Sequence, residues 1–156
     1  MTNRIYKGIF AGFIATVALS ALMILKTEVG MSPQMNAIKM LSSMAHGFMG
    51  TPAIPVVGWL LHFIIGSILW GILFAILFKR IPGQTPAIKG LIFGTAAWLL
   101  MMIMVMPMAG AGLFGIHLGI GASIATLVLH WIFGAVLGSM YGKLTTPHFV
   151  ATHTHA

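Results

Sequence analysis

"LLHFIIGSILWGILFAILFKR", Leu60 to Arg80, decides the fold. Apart from His62 and the small residues Gly66, Ser67 and Gly71 it is almost unbroken hydrocarbon, until Lys79 and Arg80 stop it. A helix needs about 20 such residues to cross roughly 30 Å of lipid tails, where it satisfies its own backbone. The run does not alternate polar with apolar residues as a membrane barrel strand does. The whole chain has this character: 59% of residues are hydrophobic, 6% are charged and the mean hydropathy is +1.04. A soluble domain carries about 25% charged residues. The sequence therefore predicts one integral membrane domain over residues 1–156, all-α, a bundle of four transmembrane helices at about 8–25, 53–78, 88–106 and 118–141.

The net charge of +7 does not point to nucleic acid, because the basic residues sit at the ends of apolar runs. Arg4 and Lys7 precede the first span, Lys79 and Arg80 end the second, Lys89 opens the third and Lys143 closes the fourth. Four crossings put these six on one side, against Lys26 and Lys39 on the other. The positive-inside rule then gives a multi-pass protein with both termini cytoplasmic. "ALS" at Ala18 to Ser20 resembles a signal-peptide cleavage site, but the apolar run continues past it to Leu25, so it reads as a span.

Two hairpin repeats are expected. "KGIFAGFIA" from Lys7 matches "KGLIFGTAA" from Lys89, and "LHFIIG" from Leu61 matches "LHWIFG" from Leu129. The first outer loop is the longer. Within it, Ser32 as N-cap and Pro33 at the first position predict an amphipathic helix over about 33–46. Ala37, Ile38, Met40, Leu41, Met44, Ala45 and Phe48 form its apolar face, opposite Asn36, Lys39, Ser43 and His46. Such a helix lies on the membrane surface, covers the bundle mouth or docks a partner. Pro107 with "AGAGLFG" predicts a flexible turn between the last two spans, and residues 144–156 a mobile cytoplasmic tail carrying His148, His153 and His155.

Small residues recur one helical turn apart, which lets membrane helices approach backbone to backbone. Gly134, Gly138 and Gly142 form one row with His130 and Thr126. Gly8 with Gly12, Gly90 with Gly94, Gly66 and Ser67 with Gly71, and Gly115 with Gly119 are expected to pack other helices.

His62 and His130 occupy matching positions in the second and fourth spans. Each lies roughly 20 to 25 Å above the cytoplasmic boundary, counted at helical rise. An ionisable group at that depth is a functional candidate, although a neutral imidazole bonded to a neighbouring helix accounts for it equally well. If the repeats are real, the pair could ligate haem b between two helices, each with a glycine one turn below to admit the porphyrin. Their depths differ by about 6 Å, which axial ligation would have to absorb by tilt. All methionines except Met1 and Met140 lie towards the outer side, so Met102, Met106 and His46 are candidates for copper, since thioether and imidazole suit Cu(I). Against that, the side chains from Met101 to Met108 are expected to point all around their helix, as Met used for filling does.

Absences exclude chemistry. Cysteine does not occur and Glu28 is the single acidic residue, which removes thiolate sites, paired-carboxylate catalysis, carboxylate cages and a Ser-His-Asp triad. Ser123 and His130 are roughly 10 Å apart along one helix, too far to bond.

"KGIFAGFIATVALSALMI", "LLHFIIGSILWG" and "VLHWIFGAVLGSMYG" together resemble a family of small bacterial four-helix inner-membrane proteins of unknown function, over residues 7 to about 143. The resemblance implies a bacterial inner-membrane location and carries over no catalytic residue. The expected role is a non-catalytic accessory or scaffold subunit whose partners are the bilayer and other membrane subunits or copies of itself. Haem or copper binding, or transport through histidine, are the alternatives.

Overall fold

The computed structural model describes residues 2–28 and 36–146. All its regular elements are helical, and four are long and apolar enough to cross a membrane. Helix α1 is Thr2–Glu28, α2 is Ala37–Met49, α3 is Pro55–Leu77, α4 is Pro86–Met108 and α5 is Ile120–Thr145. α1 and α4 run past their expected limits at both ends and α5 past its C-terminal one, while α3 lies within its limits and α5 starts after its own; proline and capping residues decide where α3 and α4 begin. Pro55 and Pro86 each occupy a first turn, where the missing N–H costs nothing. Thr85 also caps α4, its Oγ1 accepting from Ile88 N at 3.2 Å. The predicted cap Ser32 and Pro33 lie outside the described residues, as do the tail histidines. Asn36 caps α2 through Lys39 N at 2.9 Å, and Gly50 closes it at φ 68.

α1 packs on α3, α4 packs on α5, and α1 also lies along α5. Side chains fill the middle. Ala11 and Ala15 of α1, Phe74 and Ala75 of α3, Phe93 of α4, and Phe133, Leu137 and Tyr141 of α5 make one buried core. Phe74 is its centre, with ring centroids 5.1 Å from Phe93, 5.5 Å from Phe78 and 5.6 Å from Tyr141, all edge to face. Lys89 Nζ donates to the Phe78 carbonyl at 3.0 Å and lies 5.0 Å from the Phe78 ring centroid, so a cation caps the last turn of α3.

Both hairpins close through glycine. A Cβ added to Gly8 or Gly71 would meet the other's carbonyl, and Gly12 would collide with the carbonyls of Gly66 and Ser67 at 2.8 Å. In the second hairpin Gly90 and Gly134 stand in the same mutual relation, Gly94 lies against the His130 carbonyl, Gly138 against the Pro86 carbonyl and Gly142 against the Pro86 ring. Gly66 and Gly71, five apart, would diverge on a regular α-helix. A π turn over Ile64–Leu69 absorbs the extra residue and turns both towards α1, with Gly66 against Thr16 and Gly71 against Gly8 and Ile9.

Gly115 and Gly119 depart from the expectation of a packed helix face. They sit at φ 67 and 84 in and after a 3-10 segment, Leu113–Leu118, so they serve turn geometry. The turn after Pro107 is accordingly structured, with the His117 N–H bonded to the Ala111 carbonyl at 3.1 Å.

Where a helical glycine touches nothing, its substitution should help. Nothing lies within 4 Å of a Cβ on Gly121, in the first turn of α5. Gly121→Ala is expected to stabilise by about 0.5–1 kcal/mol by limiting the unfolded chain. A thermal melt in detergent measures it, and a drop in stability would mean that the α5 N-terminus is packed against something.

Candidate functional site

The chemistry-bearing side chains fall into two groups. His62 and His130 come first. His62 is half-buried beside Trp59 and Phe63, with centroid distances of 5.8 and 5.9 Å, and its buried Nε2 has no hydrogen-bond partner among the described residues. Nδ1 of His130 donates to the Thr126 carbonyl one turn back at 2.8 Å, which fixes the ring and leaves Nε2 as the acceptor. No hydrogen bond or ring contact joins the two imidazoles among the described residues. The glycines one turn below them are not open: the Thr16 side chain fills the space at Gly66, and the Gly90 carbonyl fills it at Gly134. Those two positions therefore admit no porphyrin face, because the α1–α3 and α4–α5 seams already use them.

The second group is the methionines at the opposite end from Lys79, Arg80 and Lys143. Met102 and Met106 are fully buried and pack with Ala111, and Met40, Met101, Trp98 and Leu118 close around them. The methionines from Met101 to Met108 were expected to point all around the helix, and they divide: Met104 and Met108 are exposed, whereas Met101, Met102 and Met106 face the cluster. A π turn over Met101–Val105 is the reason, since it aligns residues five apart and stacks Met106 on Met101, with the Met106 N–H bonded to the Met101 carbonyl. Met102 lies next to Met101 on the same inward side. Periodicity at 3.6 residues per turn puts Met102 and Met106, four apart, on one face, but leaves Met101 well to the side of them.

His46 does not join them. It is exposed near the end of α2, and its Nδ1 donates to the Thr51 carbonyl at 2.7 Å. Among the described residues no three His, Cys, Asp or Glu side chains are grouped to hold a metal ion.

Trp98 is held by two bonds from Nε1, to the Ser123 carbonyl and to Thr126 Oγ1, both 3.2 Å. Ser123 donates its hydroxyl to the Phe114 carbonyl, so it ties down a turn and takes no part in a hydrolase arrangement with His130. Phe114 is held at φ 56, the one positive φ among the described non-glycine residues. Such a conformation costs of order 1–3 kcal/mol and needs its surroundings to enforce it.

One contact escaped the sequence reading. Gly58, in the first turns of α3, seats α2: a Cβ there would strike the carbonyl and side chain of Ile38. α2 buries Ile38, Ser42 and Ala45, while Phe48, expected on its apolar face, is 67% exposed. The glycine within "VVGW" was the available signal, but its partner lies in another element.

Comparison adds a family and no activity. No curated protein and no solved structure matches the chain. A family model matches residues 2–151, nearly the whole chain and all four membrane-length helices, and by that match the protein belongs to the family of unknown function DUF6789.

Proposed function

We propose that this protein is a non-catalytic accessory or scaffold subunit of a larger membrane assembly, seated in a bacterial inner membrane with both termini cytoplasmic. The observation that carries the reading is the filled interior. Backbone-to-backbone glycine seams close each hairpin and an aromatic core occupies the space between them, which leaves the outer surfaces for interaction. Those surfaces are rich in large apolar side chains, among them Val56, Leu60, Ile76 and Ile124. In lipid, helices associate through close packing more than through hydrophobic drive, so these faces suit both lipid tails and the helices of a partner.

The two hairpins are two copies of one unit in this reading. Gly8 with Gly12 and Gly90 with Gly94 support it, since each pair meets the small residues of the following span. The orientation rests on Arg4, Lys7, Lys79, Arg80, Lys89 and Lys143 at one end. α2 then lies at the outer interface, with Asn36, Lys39, Ser43 and His46 exposed and Ile38 and Ala45 buried.

A two-dimensional native gel of membranes extracted in mild detergent tests the role. The chain, 16.7 kDa alone, is expected to migrate within a larger complex and to resolve there with other membrane polypeptides. Migration alone, or only with copies of itself, would overturn the accessory role.

A further inference from the structure

The methionine cluster goes beyond that reading. Four methionine side chains from two elements pack in one cluster: Met101, Met102 and Met106 on α4, and Met40 on α2. A bundle filling its interior at random would not need an inserted residue to bring three of them to one side of one helix, yet the π turn over Met101–Val105 does this while Ile103, Met104 and Met108 face outward. Single π turns inside α-helices occur frequently at functional sites.

The surroundings suit a ligand of one kind. Met106 Sδ lies 3.7 Å from where a Cβ on Gly115 would stand, so the glycine leaves space beside that sulfur. The turn bearing Gly115 is held in place through the strained Phe114, whose carbonyl accepts from Ser123. Trp98 packs against the same cluster with its indole fixed by two hydrogen bonds. An aromatic face attracts a cation, most strongly where water is excluded.

We propose that Met40, Met101, Met102 and Met106 form a thioether site for Cu(I). Thioethers are neutral, soft donors that bind Cu(I) well and hard ions such as Mg²⁺ or Ca²⁺ poorly. A monovalent ion also brings the smallest charge into an apolar site, and here neither carboxylate nor thiolate offsets a second one.

The test is an anaerobic Cu(I) titration of the purified full chain in detergent against a chromophoric Cu(I) chelator. The chain is expected to retain a single equivalent. The combined Met102→Leu and Met106→Leu variant should lose affinity by at least about tenfold while its melting temperature stays near that of the unaltered protein, since Met to Leu conserves volume. The outward pair, Met104→Leu with Met108→Leu, should leave affinity within about twofold. Met40→Leu, on a separate helix, gives the same loss and serves if the inner pair does not fold. X-ray absorption of the loaded protein should show sulfur as the dominant neighbour of copper. Failure to retain Cu(I), equal binding by the inner variants, or loss through the outward pair alone would each overturn the site.

Discussion

Gly134→Leu is expected to separate α4 from α5 and abolish the folded bundle. A single Cβ at this position already meets the Gly90 carbonyl, and a larger side chain would also meet Gly94. The obstacle is helical backbone, which cannot change rotamer. Gly134→Ala should cost about 1–3 kcal/mol, the usual range for overpacking, and Leu more than that. Gly138→Leu meets the Pro86 carbonyl and the Gly90 backbone in the same way and should behave alike. Thermal unfolding in detergent reads both, with Gly121→Ala as the opposite-signed control. A Gly134→Leu protein that melts with the unaltered one would mean that the α4–α5 seam is not formed.

Phe74→Ala should have the second largest effect. Phe74 is fully buried and meets Phe78, Phe93 and Tyr141, so its ring joins α3 to α4 and α5 where no glycine seam does. Removing it leaves a cavity at the junction and should cost about 3–5 kcal/mol. The neighbouring rings cannot all move into the gap, because each is committed to a different helix. Denaturant unfolding in mixed micelles measures the loss. A change below about 1 kcal/mol would place Phe74 at a lipid-facing surface.

The four spans were legible because run length against membrane thickness is a local property. Leu60 to Arg80 needs no partner to be read as a crossing. The glycine rows were equally legible, since spacing reveals a small-residue face, and Gly8, Gly12, Gly90, Gly94, Gly134 and Gly138 all lie in seams. Which glycine meets which was not legible. The π turn over Ile64–Leu69 shifts the register within α3, and Gly66 opposite Thr16 appears only once that turn is known. The second π turn hid the place of Met101 beside Met102 and Met106 for the same reason. A helical wheel assumes a constant angle per residue, and that assumption fails at Gly66 and at the methionines of α4. Gly58 was missed for another reason: its partner, Ile38, is set by how α2 docks on α3.

The central claim is that each hairpin seals on itself, backbone to backbone, and the first can be locked directly. The chain has no cysteine, so Thr16→Cys with Gly66→Cys would introduce the only two thiols. A Cβ on Gly66 would stand 3.2 Å from the Thr16 Cβ, within a few tenths of an ångström of the separation a disulfide spans. After mild oxidation of membranes, both thiols are expected to become unreactive to maleimide until reduced. Two thiols that stay free and reactive after oxidation would contradict the sealed hairpin, and with it the filled interior on which the proposed function rests.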